Sequence, residues 1–235
     1  MAQQFLFDVP STPAVPVEGE SKAYPVHRIF CVGRNYAAHA AEMGVAVDRE
    51  APFYFTKPAS AVVHTGATIA YPPGTANYHY EMELVIALGA PAFQVSVSQA
   101  PAAVYGFACG LDMTRRDLQL EARAKQRPWD LGKAFEQSAI LSPIRKAADF
   151  GTVGDQRIML TVNDEVRQDA RLSDLIWSVP EIISHLSGFY HLMPGDLIYT
   201  GTPAGVGPVA AGDRIHGEIE GLAPVNLAIA QAQTA

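Results

Sequence analysis

The sharpest pattern in this 235-residue chain runs through Tyr78-His79-Tyr80-Glu81-Met82-Glu83-Leu84-Val85-Ile86-Ala87-Leu88. Tyr80, Met82, Leu84, Ile86 and Leu88 recur with period two, which predicts a strand with one face on a core. Glu81 and Glu83 then project together from the other face, roughly 7 Å apart along the strand. Other apolar runs predict strands over 28–33, 53–57 (closed by Pro58), 104–111, 158–162 with 165–167 around an Asn163-Asp164 turn, 197–203, 214–219 and 225–229. Helical composition marks 35–43, 117–126, 172–177 and 180–192, while 127–133 reads as a loop. Residues 1–25, with Pro10, Pro13, Pro16 and Pro25, read as an extended Pro-rich N-terminal arm ahead of a single domain over 26–235. Many short strands with a few short helices and no internal repeat predict a β-rich α+β fold.

Composition adds bounds. Hydrophobic residues make up 49% and charged residues 17%, which suits a globular protein with a substantial core. A net charge of −7 argues against nucleic acid and anionic membranes as partners, since both need a basic footprint. No apolar run approaches the length that spans a bilayer, and no secretory signal opens the chain, so a cytoplasmic location is expected. Cys31 and Cys109 lie in apolar runs and form neither a disulfide framework nor a zinc pattern. The dinucleotide and phosphate-loop glycine motifs are both missing.

The chemistry begins with the two glutamates. Paired anions beside a core repel each other and are costly to desolvate, so a cation between them is expected. A hard divalent ion such as Mg²⁺ or Mn²⁺ fits oxygen donors; facing water or pairing with Lys or Arg is the alternative. Asp112 ends an apolar run and is followed by Arg116 and Gln119, which makes either an anion-binding corner or an N-capped helix start. His39 and Glu42, three apart on a predicted helix, share a face. The carboxylate could hold one ring nitrogen while the other acts as a general base, although a surface His–Glu pair has the same spacing. Lys133 could stabilise an enolate or oxyanion, or simply be exposed. The glycine-rich 199–207 stretch could offer N–H groups and Thr202 to a carboxylate, or turn for steric reasons alone. His79 shares the Glu81 face, and direct metal ligation by it is not expected.

Taken together, Cys31-Val32-Gly33-Arg34-Asn35-Tyr36 with His39 and Glu42, Phe55-Thr56-Lys57-Pro58, Glu81-Met82-Glu83-Leu84, Asp112-Met113-Thr114 with Arg116, Asp117 and Gln119, Lys133, and Tyr199-Thr200-Gly201-Thr202-Pro203-Ala204-Gly205-Val206-Gly207 are in the order found in one family. The chain resembles the fumarylacetoacetate hydrolase family, in its short acylpyruvate hydrolase branch. The resemblance implies a mixed β-sandwich roll forming a single catalytic domain, usually a homodimer, with one Mg²⁺ or Mn²⁺ per chain held by Glu81, Glu83 and Asp112. It implies a His39–Glu42 dyad activating water on a segment that can close as a lid, and Lys133 near the oxyanion. Arg116, Gln119, Lys133 and Thr202 would line the substrate pocket, with Lys57 supporting the metal site. The implied reaction is hydrolysis of the C–C bond of a 2,4-dioxo acid, with fumarylpyruvate from aromatic catabolism as the best-fitting substrate. Oxaloacetate decarboxylation or keto–enol tautomerisation at the same site is the alternative, and a noncatalytic metal-dependent binding protein is the remote one.

Overall fold

The computed structural model describes residues 5–44 and 49–233. The first four residues of the expected arm therefore lie outside the described residues, as do 45–48 and 234–235. The elements that build the site are β1 (Arg28–Gly33), α1 (Ala37–Glu42), β2 (Phe53–Lys57), β3 (Tyr78–Tyr80), β4 (Met82–Leu88), β5 (Val104–Asp112), α2 (Arg116–Ala124), α3 (Asp130–Lys133), β6 (Glu165–Arg171) and β7 (Asp196–Tyr199).

An eight-stranded mixed sheet runs in the order β2, β1, β7, β4, β5, Ala139–Leu141, Val62–His64, with Arg145–Lys146 beside β5. Here β1 and β7 are parallel, whereas β4 is antiparallel to both β7 and β5. A five-stranded sheet runs β6, Arg157–Val162, Arg214–Ile219, Val225–Ala230, Ala67–Ala70, and a small third sheet joins β3 to Thr114–Arg115 and Gly207–Val209. The result is a β-rich mixed sandwich roll with short helices, as expected.

The period-two reading of the opening motif holds, with one change. The strand breaks at Glu81: β3 belongs to the small sheet and β4 to the large one. Met82, Leu84, Ile86 and Leu88 enter the larger core with Ile158, Leu160, Ile215 and Leu227 of the five-stranded sheet. Val85 and Ala87, on the opposite face, bury in a second core with Ile29, Cys31 and Leu197. Both faces of β4 are thus covered, and a buried Leu or Ile side chain contributes about 1.5–3 kcal/mol. Only the first odd-numbered positions carry charge, so two carboxylates enter an interior that is apolar further along the strand.

Several expectations shift. Residues 172–177 give only a 3₁₀ turn at Leu172–Asp174, and the following helix spans Val179–Ser187, opened by a Ser178–Glu181 capping box. The 127–133 loop contains the one-turn helix α3, which buries Lys133. The Pro-rich arm folds back: Ala14–Val15 pairs with Tyr24–Pro25, and Val15, Val17 and Tyr24 bury in the second core. Alternating apolar residues between the prolines made this possible, and the Tyr24 hydroxyl donates to Leu88 O at 2.7 Å.

Candidate metal centre and active site

Antiparallel pairing of β4 with β5 brings the three acids together. Glu83 lies opposite Gly110, and Asp112 N–H donates to Glu81 O at 2.9 Å, which sets the last residue of β5 beside the break at Glu81. One carboxylate oxygen from each of Glu81, Glu83 and Asp112 lies within 4.8 Å of the other two. All three are at most 5% exposed.

Cations surround two of them. The Lys133 ammonium donates to Glu81 Oε2 at 2.8 Å, Asp112 Oδ2 at 2.7 Å and Thr114 Oγ1 at 2.7 Å. The Arg116 guanidinium donates to Glu81 Oε1 and to Gln119 Oε1. Lys57 Nζ donates to Met113 O at 3.0 Å and Lys133 O at 2.5 Å, and lies 2.8 Å from Asp112 Oδ1. That last contact is ionic only, since its angle leaves Oδ1 without a hydrogen bond. Burial opposes ionisation of Glu81, but Lys133 and Arg116 outweigh it and hold this carboxyl well below its ordinary range. Lys133 in turn stays protonated despite burial, because Asp112 and Glu81 face it.

Glu83 differs. It accepts Gly201 N–H at 2.7 Å, and among the described residues no cation lies within ion-pair distance of it. Burial first, then Asp112 and Glu81, push its carboxyl well above the ordinary range. A buried carboxylate without a counter-cation and a donor set made only of oxygen fit a hard divalent ion such as Mg²⁺ or Mn²⁺.

His39 is buried on α1, with Nδ1 3.0 Å from Glu42 Oε2. Glu42 also accepts Gly205 N–H at 3.1 Å, joining α1 to the loop after β7. If Nδ1 carries the proton toward Glu42, Nε2 is left as the basic nitrogen. Two glycines make this loop possible. Gly201 has φ +100°, and a Cβ there would lie 2.7 Å from Asn35 Cβ. Gly205 has φ +96°, and a Cβ there would strike the carbonyl of Arg167. Arg167 is the extra residue of a β-bulge in β6, where pairing shifts between Leu160 and Thr161.

His39, Glu81, Glu83, Arg116, Gln119, Lys133 and Thr202 line one cavity. Of the residues expected at the site, Glu42, Asp112 and Lys57 stand outside this lining: Glu42 holds His39, Lys133 reaches Asp112, and Lys57 lies against Asp112 from behind. His79 stands apart from the acids: its Nε2 lies 2.8 Å from Asn77 Oδ1, and its Nδ1 faces Arg116 Nε at 3.5 Å. Burial and then Arg116 lower its pKa to about 4, so the ring is neutral.

Sequence reading missed Gln168. This amide is buried on an otherwise exposed strand, accepts Met82 N–H at 3.0 Å, and donates to Thr202 Oγ1 and Pro203 O, each at 2.8 Å. It ties the peptide between Glu81 and Glu83 to Thr202. It lies just past the hairpin strand expected at 165–167, which the structure extends by four residues to Arg171. Thr114, expected as a motif residue or helix cap, is the third acceptor for Lys133.

Comparison with known proteins agrees with this geometry. The family model described as "Fumarylacetoacetate (FAA) hydrolase C-terminal" matches residues 28–230. The chain belongs to the fumarylacetoacetate hydrolase family. Within the family it is 55% identical over 194 residues to a fumarylpyruvate hydrolase of a Ralstonia species, covering 81% of this chain and 100% of that protein. It is 41% identical over 201 residues to a mitochondrial oxaloacetate tautomerase of Oryza sativa subsp. japonica, covering 84% and 88%. The crystal structure of the fumarylpyruvate hydrolase of Pseudomonas aeruginosa in complex with Mn²⁺ and pyruvate superposes with a TM-score of 0.94 at 47% identity, covering 97% of this chain and 100% of that one.

Proposed function

We propose that this chain is a hydrolase of the C3–C4 bond of a 2,4-dioxo acid, with fumarylpyruvate as substrate and pyruvate and fumarate as products. The observation that carries the reading is one cavity lined by His39, which Glu42 holds, and by Glu81 and Glu83 of a buried three-carboxylate centre, in a chain 55% identical to a fumarylpyruvate hydrolase. Glu81, Glu83 and Asp112 would hold one Mg²⁺ or Mn²⁺, which when bound polarises substrate carbonyl oxygens and offsets developing negative charge.

The chain's own groups supply the rest. Arg116, held by Gln119 and Glu81, takes the 1-carboxylate of the substrate. Thr202, fixed by Gln168, offers a hydroxyl beside it. Glu42 keeps the Nδ1 proton of His39, so Nε2 removes a proton from water as its oxygen bonds to C4. The Lys133 ammonium faces the oxyanion formed at C4. The C3–C4 bond then breaks with its electron pair on C3, and protonation there gives pyruvate while C4 becomes the carboxyl of the acid product. The Glu42–Gly205 hydrogen bond ties α1 to the loop after β7, and a lid on α1 would open by parting it.

Oxaloacetate tautomerisation is a second reading, favoured by relatives so named at 41% and 37% identity. It needs the acids and Lys133 but no attacking water. The test is metal-dependent turnover of fumarylpyruvate, acetylpyruvate and oxaloacetate by the enzyme and its His39→Ala variant. Hydrolysis should fall about 10²- to 10⁴-fold while tautomerisation or decarboxylation survives. Equal loss of all activities would remove His39 as the base.

We further read residues 26–235 as the catalytic domain of a cytoplasmic homodimer serving aromatic catabolism. Exposed Phe5, Leu6 and Phe7 offer apolar surface that a second copy would cover. No helix among the described residues is long and apolar enough to cross a membrane.

A further inference from the structure

Helix α2 carries more than Arg116 and Gln119. Arg123 follows them at seven and four positions, on the same helix face, and lies about 10 Å from Arg116 along the axis. Next to the carboxylate centre a second cavity of about 480 Å³ opens. It shares Arg34, Phe55, Arg123, Trp129 and Lys133 with the first. Its walls are aromatic, with Trp129 5.0 Å from Phe53 and 5.9 Å from Phe55 between ring centroids.

Arg34 and Arg123 are both half-buried there. Arg28, Arg116, Arg157, Arg167 and Arg171 each meet a carboxylate. Arg34 and Arg123 meet none among the described residues. Arg34 instead lies over the Phe53 ring at 5.7 Å, and Arg123 donates to Met43 O at 3.3 Å. Burial and then the nearby Arg123 lower the pKa of Arg34, so the two cations lie close enough to repel each other. Arg34 also has φ +60°, a left-handed backbone that is costly for a residue with a side chain and is concentrated at functional sites. Two repelling cations at the wall of a cavity continuous with an active site leave room for an anion.

We infer that Arg34 and Arg123 form a subsite for a second carboxylate at the acyl end of the substrate, so that the enzyme selects acylpyruvates whose acyl group is itself acidic. This deepens the hydrolase reading and rests on it. The 1-carboxylate engages the Arg116 end of α2, and the planar unsaturated chain runs along the wall formed by Phe55 and Trp129. The distal carboxylate then reaches Arg123, two turns further along the helix, with Arg34 beside it. A trans double bond keeps the two acid groups apart and suits this spacing. An acetyl group leaves both guanidinium groups unanswered.

The test compares fumarylpyruvate with acetylpyruvate on the Mn²⁺-loaded enzyme and its Arg123→Met and Arg34→Met variants. The ratio of kcat/KM for fumarylpyruvate to that for acetylpyruvate should fall about ten- to a hundredfold in each, mainly through KM. Arg123→Lys, which keeps the charge, should retain most of the ratio. Fumarate should bind the enzyme by calorimetry and bind the methionine variants at least about tenfold more weakly. An unchanged ratio, or equal losses on both substrates with fumarate binding unaltered, overturns the subsite and leaves the hydrolase reading standing. A wild-type enzyme that cleaves neither substrate removes the hydrolase reading, and fumarate binding that is independent of both arginines then overturns the subsite as well.

Discussion

The carboxylate centre and the hairpin formed by Arg157–Val162 and β6 are both dense in ion pairs, and they use them for opposite ends. The better geometry belongs to the hairpin: Arg157 grips Asp169 through two parallel hydrogen bonds of 2.7 and 2.8 Å. Those groups face water, where screening and side-chain entropy leave such pairs little net worth. In the centre, Lys57, Lys133, Arg116, Glu81 and Asp112 are buried, where attraction is stronger and a lost partner is far more costly. The hairpin neutralises each acid and is chemically idle. The centre leaves Glu83 without a cation, and that imbalance is what fits a divalent ion.

The comparison is broken most directly at Glu83. Glu83→Gln should abolish hydrolysis and weaken Mn²⁺ binding by more than about a hundredfold, beyond the 10–100-fold typical of groups outside the ligand set. Its metal-free form should melt no lower than the wild type, because burial, Asp112 and Glu81 already disfavour a charge at this position. Unchanged Mn²⁺ affinity by calorimetry would end the metal assignment. Lys133→Met should do the reverse to stability. It strips Glu81 and Asp112 of their shared ammonium, and the metal-free protein should lose about 3–5 kcal/mol in urea unfolding. A loss as small as that of an exposed pair would erase the distinction between the two regions.

Much of the centre was legible because its signals are local. Period two placed Glu81 and Glu83 on one face, a strand ending at Asp112 supplied the third acid, and i to i+3 spacing paired His39 with Glu42. What escaped depends on contacts between distant segments. Lys133 looked like a loop cation because four helical residues are too few for a periodic signal, yet Thr114 and two carboxylates draw it inside. Gln168 fell outside the expected strand at 165–167, since a bulge at Arg167 re-aims the strand in a way that alternation cannot reveal. The arm looked extended because its prolines hide two short strands that bury only against the second core.

The smallest expected effect sharpens the comparison from the other side. Asp169→Ala, one residue from Gln168, removes an exposed bidentate pair. Asp169 is exposed, and Arg157 pulls its carboxyl below the ordinary range. Sign matters here: a carboxyl lowered on folding favours the folded state above its unfolded pKa and loses that contribution as pH falls. Salt screening and hydration shrink the contribution to the level of noise. Thermal melts at neutral pH should therefore not distinguish Asp169→Ala from wild type, and fumarylpyruvate turnover should be unchanged. A clear drop in melting temperature at 150 mM salt would mean that this pair is held rigidly enough to matter. Bidentate geometry, rather than burial, would then set the worth of an ion pair in this fold.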